Sequence, residues 1–528
     1  MADPPQQKRR RVENPKTQCL VENFLQWCGD VGLTLNSKVT VREEGSCHRF
    51  GMIALENIEE GESVFKIPRN VLLEPHTSAI SGIVSEFAEC LPEIHSRNKW
   101  LPLLITLLHE YTNPTSKWRP YLDLVPSETV LNQPIFWTEQ ERKILTSIDL
   151  KDGVEEDERN IELGYKNFVL PFMEKNKKYF DPKVHTLDLY KRLAGFVMAY
   201  SFTDSDDVDA KPAMVPMADI LNHVSDNNAH LEFGDEFLSM VTTQAIRKGC
   251  EVFNTYGNLD NCNLLRSYGF IEDPPNVFDE VDIPLRIFQE VLKLSDKEWR
   301  IKMTSIRGQQ TCSVNTEEGL IFNLNAGCTS SGEELHTLFE AIHERQSKSD
   351  ENDEIRKDIE RNEIENDNDN NTNLEYIKPK SNVDKGLTEI SGDVSKHAGI
   401  TVDDDEDDGL KSDSDEASEG DKGTTMDTSG SDSDGIGDFW GNDGSESDDS
   451  SCAGQSGVGW VELQELPGKW KQTMTRAASV RSRNIQNLAE ELSRKVAKSQ
   501  DKTRITMVKN ILQGQLTILR KIQDLSII

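Results

Sequence analysis

The sequence predicts an α+β fold, with short β-sheets, a long helical insertion between them, and an all-helical C-terminal region split by an acidic tract. Three observations carry this. Gly51 to Pro68 alternates apolar and polar residues around Glu59-Glu60-Gly61, the pattern of strands meeting at a glycine turn. Ile58-x-x-Gly61-x-x-Val64-Phe65 returns position for position as Ile246-x-x-Gly249-x-x-Val252-Phe253, with helix-period sequence between the copies. From about residue 346 to 458 the composition collapses into Asn, Asp, Glu, Ser and Gly, after which helical periodicity resumes.

Taken in order, residues 1–18 form a polar tail expected to be disordered. It carries Lys8-Arg9-Arg10-Arg11, a basic block that suits nuclear import or merely a solvated terminus. Residues 19–275 form the first domain. Leu20, Phe24, Leu25, Trp27 and Cys28 recur at helical spacing, and the strands of Gly51–Pro68 follow as a predicted hairpin, with a second hairpin of the same design at its copy. The insertion covers about 90–205. Residues 101–110 (LPLLITLLHE) suit a buried helix, and Leu187, Leu189, Tyr190, Leu193, Phe196, Val197 and Tyr200 mark another within Val184–Phe202. Lys211 to Gly269 reads as strands and loops. Residues 276–345 and 459–528 read as helical, the last helix marked by Val508, Ile511, Leu512, Leu516, Leu519, Ile522 and Leu525. Neither part makes a core alone, so one C-terminal domain is expected, interrupted by a disordered insertion at 346–458.

The formal charge is −34, yet residues 401–450 hold nineteen Asp and Glu against two Lys, so a tenth of the chain carries half of it. No cluster of Lys and Arg suits direct nucleic-acid binding, and the acidity fits a basic partner. No apolar run reaches the ~18 residues of a membrane span, and no secretory leader is apparent, so an intracellular protein away from membranes is expected. The nine cysteines show no C-x-x-C pair and an odd count, so reduced thiols and no structural metal are expected.

Three clusters carry candidate chemistry: His48-Arg49-Phe50-Gly51-Met52, Asp219-Ile220-Leu221-Asn222-His223, and Asn254-Thr255-Tyr256-Gly257 followed by Tyr268-Gly269-Phe270. Singly, each is as well read as a turn or strand end. Their order resembles that of the SET-domain lysine methyltransferases: a glycine-containing cofactor loop, an Asn-His pair, a catalytic tyrosine and a later Tyr-Gly-Phe. The insertion, the helical C-terminal region, and the segments WLPLLITLLHE, KWRPY, VLPFME, VMAYSF, MVPMADILNH and FNTYG narrow the likeness to the branch that includes the plant Rubisco large-subunit methyltransferase. It spans roughly residues 20–345 and, more weakly, 459–528, where the branch has a substrate-binding-like domain.

The resemblance implies a SET domain that moves a methyl group from S-adenosyl-L-methionine to the side-chain amine of a lysine in another protein. It implies monomethylation of a non-histone nuclear protein. Tyr256 is implied as the catalytic residue. Arg49, Phe50, Gly51, Tyr200, Asn222, His223 and Tyr268 are implied as cofactor-binding, and Trp100, Ser201 and Thr203 as the substrate channel. The sequence departs from the family at Arg49, which replaces the first glycine of the cofactor loop. Two other readings stand beside this one: a non-catalytic SET-fold adaptor for basic partners, and histidine instead of lysine as acceptor.

The chemistry explains the residue types. Methyl transfer is an in-line displacement, so fixing amine, methyl carbon and sulfur in geometry supplies about 7–11 kcal/mol of barrier lowering. Lysine, with a reference pKa of about 10.4, must be neutral to attack. A phenol near 10 is a poor base at neutral pH, so Tyr256 is expected to orient the amine while its proton leaves through water. The acid-flanked serines at Ser412, Ser414, Ser431, Ser433, Ser445 and Ser447 suit acidophilic kinases. The tract around them serves as a solubilising spacer or as an electrostatic lure or competitor for basic substrates.

Overall fold

The computed structural model describes residues 15–43, 45–90, 99–126, 131–204, 211–307, 320–323, 327–329, 332–343, 459–496 and 502–526. The basic block and the acidic tract lie outside these. The first helix begins at Pro15, inside the stretch expected to be a tail.

The strands are β1 (Thr34–Leu35), β2 (Val39–Arg42), β3 (Gly51–Ala54), β4 (Ser63–Pro68), β5 (Ser201–Phe202), β6 (Ala213–Met214), β7 (Asn222–His223), β8 (Ala229–Phe233), β9 (Phe237–Thr242), β10 (Glu251–Asn254), β11 (Glu280–Ile283) and β12 (Leu320–Asn323). They form two four-stranded sheets, β1-β4-β9-β8 and β2-β3-β10-β7, and two-stranded pairs β5-β6 and β11-β12. The predicted hairpins are corrected here, because neither closes on itself. β3 and β4 lie in different sheets, as do β9 and β10, and each copy pairs with the other instead: β3 with β10, β4 with β9. Ile58 and Ile246 sit at the crossing and exchange backbone hydrogen bonds of 2.9 and 2.8 Å. The glycine turns Gly61 and Gly249 have φ of +76° and +85°, which glycine adopts without a steric penalty. Alternation thus locates the strands but not their partners, which lie about 190 residues away in sequence.

The insertion's helices share the main hydrophobic core with these sheets. Helix Leu101–Thr112 is apolar nearly all round and almost wholly buried. Helix Leu187–Tyr200 starts at the N-cap Thr186, whose hydroxyl accepts from the Leu189 amide, and ends where Ser201 turns extended. Gly195 lies where a Cβ would come within 2.5 Å of Phe136, so the glycine lets that helix close on the segment around Gln133.

Two further expectations are corrected. Lys211–Gly269 also holds a helix, Asn261–Tyr268, capped by Asp260 and ended by Gly269 at φ +77°. The region beyond Pro275 is not purely helical, since β11 and β12 pair over four residues. The sequences flanking 344–458 do share a core. Trp470 packs against Phe339 and His343 with ring centroids 5.4 and 6.4 Å apart, and Arg481 meets Asp282 at 2.6 Å. Arg504 lies over Trp137 and donates to the Asn132 side chain, fixing helix Lys502–Gln523 to the insertion.

Candidate active site

Asn222 and His223 form β7, which runs parallel to β10 with Asn222 opposite Phe253 and His223 opposite Asn254. This register places the Asn-His pair beside the loop leading into Tyr256. The Asn222 side chain pins the 45–50 loop. Its Nδ2 donates to the Phe50 carbonyl at 2.9 Å and to Glu251 at 2.6 Å, and its Oδ1 accepts from the His48 amide at 3.2 Å. Gly45 is required where the loop doubles back. A Cβ there would run into the Phe50 carbonyl oxygen and stand 2.5 Å from Asn222 Nδ2. Arg49, in place of the family's glycine, pairs with Glu43 at 3.1 Å and holds its guanidinium over the Phe50 ring.

His223 is buried and accepts from the Tyr256 amide through Nδ1 at 3.0 Å. Burial pulls its pKa down, opposed by Glu272, so it stays neutral. Tyr256 is stacked between His223 and Tyr268, with centroids 5.1 and 4.7 Å away, and its hydroxyl donates to the Leu221 carbonyl at 2.9 Å. Burial raises its pKa well above the phenol's ordinary value, helped by Tyr200, Cys47, Tyr268 and Asp219 nearby. Tyr256 is therefore a neutral phenol with its proton already committed to a backbone oxygen, which leaves its lone pairs to accept.

Tyr268 closes helix Asn261–Tyr268. That helix is held by a bidentate ion pair from Arg266 to the buried Asp157, both contacts 2.7 Å. Asn132 donates to the carbonyl of the capping Gly269 at 2.9 Å and accepts from Arg504, so the C-terminal helix reaches the tyrosine through one side chain.

Beside this stack opens a cleft enclosing about 500 Å³, mouth included, walled by His48, Arg49, Phe50, Tyr121, Phe196, Tyr200, Asp219 and Asn222 among others. Two buried polar atoms of its wall, His48 Nε2 and Asp219 Oδ1, have no hydrogen-bond partner among the described residues. Asp219 is presented by a turn in which Met217 holds a φ of 83°, a strain worth about 1–3 kcal/mol. Burial pushes the Asp219 carboxyl up to about 7 despite the hydrogen bond donated by Tyr121 at 2.5 Å.

Of the residues singled out in the sequence, Arg49, Phe50, Tyr200 and Asn222 line the cleft, and His223, Tyr256 and Tyr268 form the stack beside it. Gly51 opens β3, where a Cβ would meet Glu251 at 2.5 Å. Ser201 and Thr203 follow Tyr200, with Ser201 donating to the Val197 carbonyl at 2.6 Å, and Trp100 precedes helix Leu101–Thr112. These three are not among the cleft's wall residues. Tyr121 and Glu251 were missed in the sequence. Tyr121 lies 98 positions from Asp219 and only the fold joins them.

Fold and site together define a SET domain, and the SET domain family model matches residues 49–257. The N-lysine methyltransferase setd6 of Salmo salar is 40% identical over 330 residues, covering 60% of this chain and 73% of that protein. SETD6 of Mus musculus is 45% identical over 267 residues, 49% of this chain and 56% of that one. The solved structure of Rubisco LSMT bound to AdoMet superimposes with a TM-score of 0.50 at 15% identity, over 96% of this chain and 90% of that one, and shares the fold. The chain belongs to the setd6 family of SET-domain N-lysine methyltransferases.

Proposed function

We propose that this enzyme transfers one methyl group from S-adenosyl-L-methionine to the side-chain amine of a lysine in a non-histone nuclear protein. The observation that carries the reading is the partly buried, neutral Tyr256, its hydroxyl proton held by the Leu221 carbonyl and its ring clamped between His223 and Tyr268. The cleft fits a polar donor, since two of its buried wall atoms lack partners that a ligand with amine, carboxylate and hydroxyl groups would provide. When bound, the donor supplies an electrophilic methyl on a sulfonium: its carbon–sulfur bond breaks as the nitrogen–carbon bond forms.

The chain's own residues orient and desolvate. The lone pairs of Tyr256 Oη accept from the amine and from the polarised methyl C–H groups. Too weakly acidic to ionise at neutral pH, Tyr256 does not take the lysine proton, which leaves through water. Asn222 holds the 45–50 loop in shape, and Tyr200 walls the cleft. Trp100, Ser201 and Thr203 form the lysine channel on this reading.

The test is tritium transfer from labelled donor onto a nuclear extract by wild type and Tyr256→Phe, with mass spectrometry of the labelled residue. Monomethyl-lysine from wild type and a rate at least about 100-fold lower from the variant is the expected result, since small misplacements cost that much. A variant at full rate overturns the role of Tyr256, and labelled histidine overturns the acceptor.

A further inference from the structure

We infer that His48 is a hydrogen-bonding contact for the methyl donor, using its ring Nε2 to bind a polar group of the ligand. The inference rests on the donor reading above and adds to it a side chain of the cofactor loop to which the resemblance gives no role.

Four observations converge. His48 lies on the wall of the cleft, immediately before Arg49 and Phe50. Its backbone is fixed, the amide donating to Asn222 Oδ1 at 3.2 Å. Its ring is fixed as well, edge-on to Phe270 at 5.3 Å and tilted on Tyr200 at 5.8 Å. Yet Nε2 is buried with no hydrogen-bond partner among the described residues. Proteins rarely leave such an atom unpaired, and a ring held this tightly cannot turn away to find a partner. A ligand entering the cleft that this residue lines would supply that partner.

The imidazole also suits a cationic ligand. Burial pushes its pKa down to about 4, so it is neutral at physiological pH and does not repel a sulfonium. A neutral ring offers Nε2 as donor or acceptor according to tautomer, matching a carboxylate, a hydroxyl or an adenine nitrogen without a net charge.

The probe is S-adenosylhomocysteine, titrated calorimetrically into the full chain and into His48→Phe and His48→Gln. Phenylalanine keeps the ring contacts and loses the nitrogen, whereas glutamine puts an amide near Nε2. The expected result is binding about tenfold weaker for His48→Phe, within about threefold of wild type for His48→Gln, and unchanged ligand-free melting in both. In wild type the ¹⁵Nε2 resonance of His48 should shift on ligand addition, a readout that holds even if the variants misfold. Equal affinity of wild type and His48→Phe, or a ¹⁵N resonance that ignores the ligand, overturns this inference alone. Absence of binding by wild type overturns the donor reading and this inference with it.

Discussion

Replacing Arg266 by methionine removes the cation from a bidentate pair whose carboxylate, Asp157, is only 4% exposed. The charge left behind has two outcomes: stay ionised in a site without water, or take up a proton. Protonation sets the upper limit. With a reference pKa of about 3.9 and about 1.36 kcal/mol per unit, holding Asp157 neutral costs about 4 kcal/mol at pH 7 and about 2 kcal/mol at pH 5.5. The first figure falls within the roughly 3–5 kcal/mol typical of a broken buried pair. The sign follows from linkage. Burial already raises the Asp157 carboxyl, and without Arg266 it rises further, so the folded chain binds more protons than the unfolded one and the variant gains stability as pH falls. Urea unfolding of wild type and Arg266→Met at the two pH values reads both numbers. A gap below about 1 kcal/mol at pH 7, or one that does not narrow at pH 5.5, refutes the reasoning. Because Tyr268 ends the same helix, donor affinity should fall with stability.

Gly45→Ala forces a methyl into the Phe50 carbonyl and the Asn222 amide, and is expected to weaken S-adenosylhomocysteine binding at least about tenfold by calorimetry and to lower the melting temperature, since overpacking costs about 1–3 kcal/mol. Asp219, raised to about 7 from an unfolded value near 3.8, is protonated in the folded state below about pH 7, so its burial costs progressively more stability as pH rises from 4 to 7. Asp219→Asn should flatten that part of the stability profile in thermal melts at stepped pH. Deleting residues 350–455 should leave a folded, active enzyme. If the acidic residues act on basic substrates, its rate differs from wild type at low salt and converges with it at high salt, while equal rates at both salts reject an electrostatic role.

Much of the site was legible because its parts are local words in a fixed order. Asn222-His223, Tyr256 and Tyr268 each sit in a short segment, and the fold brings three of them into one ring stack. Helix Leu187–Tyr200 was legible too, since seven apolar residues at helical spacing leave little choice. What stayed hidden is non-local. Alternation showed that residues 51–68 and 246–253 are strands, but strand pairing depends on a partner far along the chain, so two crossed segments read as two hairpins. The helix Asn261–Tyr268 was overlooked although Asp260 and Gly269 frame it, because eight residues give the periodicity barely two turns. Tyr121, which satisfies one oxygen of Asp219, ends the segment KWRPY, but nothing in the sequence pairs it with a residue 98 positions away.

The shared core on either side of residues 344–458 has a temporal side. The helix Gly332–His343 packs Phe339 under Trp470, a residue that a ribosome reaches only after adding more than 100 further amino acids. At about 5–20 residues per second that is a wait of roughly 6–25 s, with Leu335, Leu338 and Phe339 deprived of their final cover. Synthesis of this enzyme thus contains a built-in pause between making an apolar surface and making its lid. The span translated during that pause is the most acidic in the chain, the composition that best keeps a half-made protein from sticking to its neighbours.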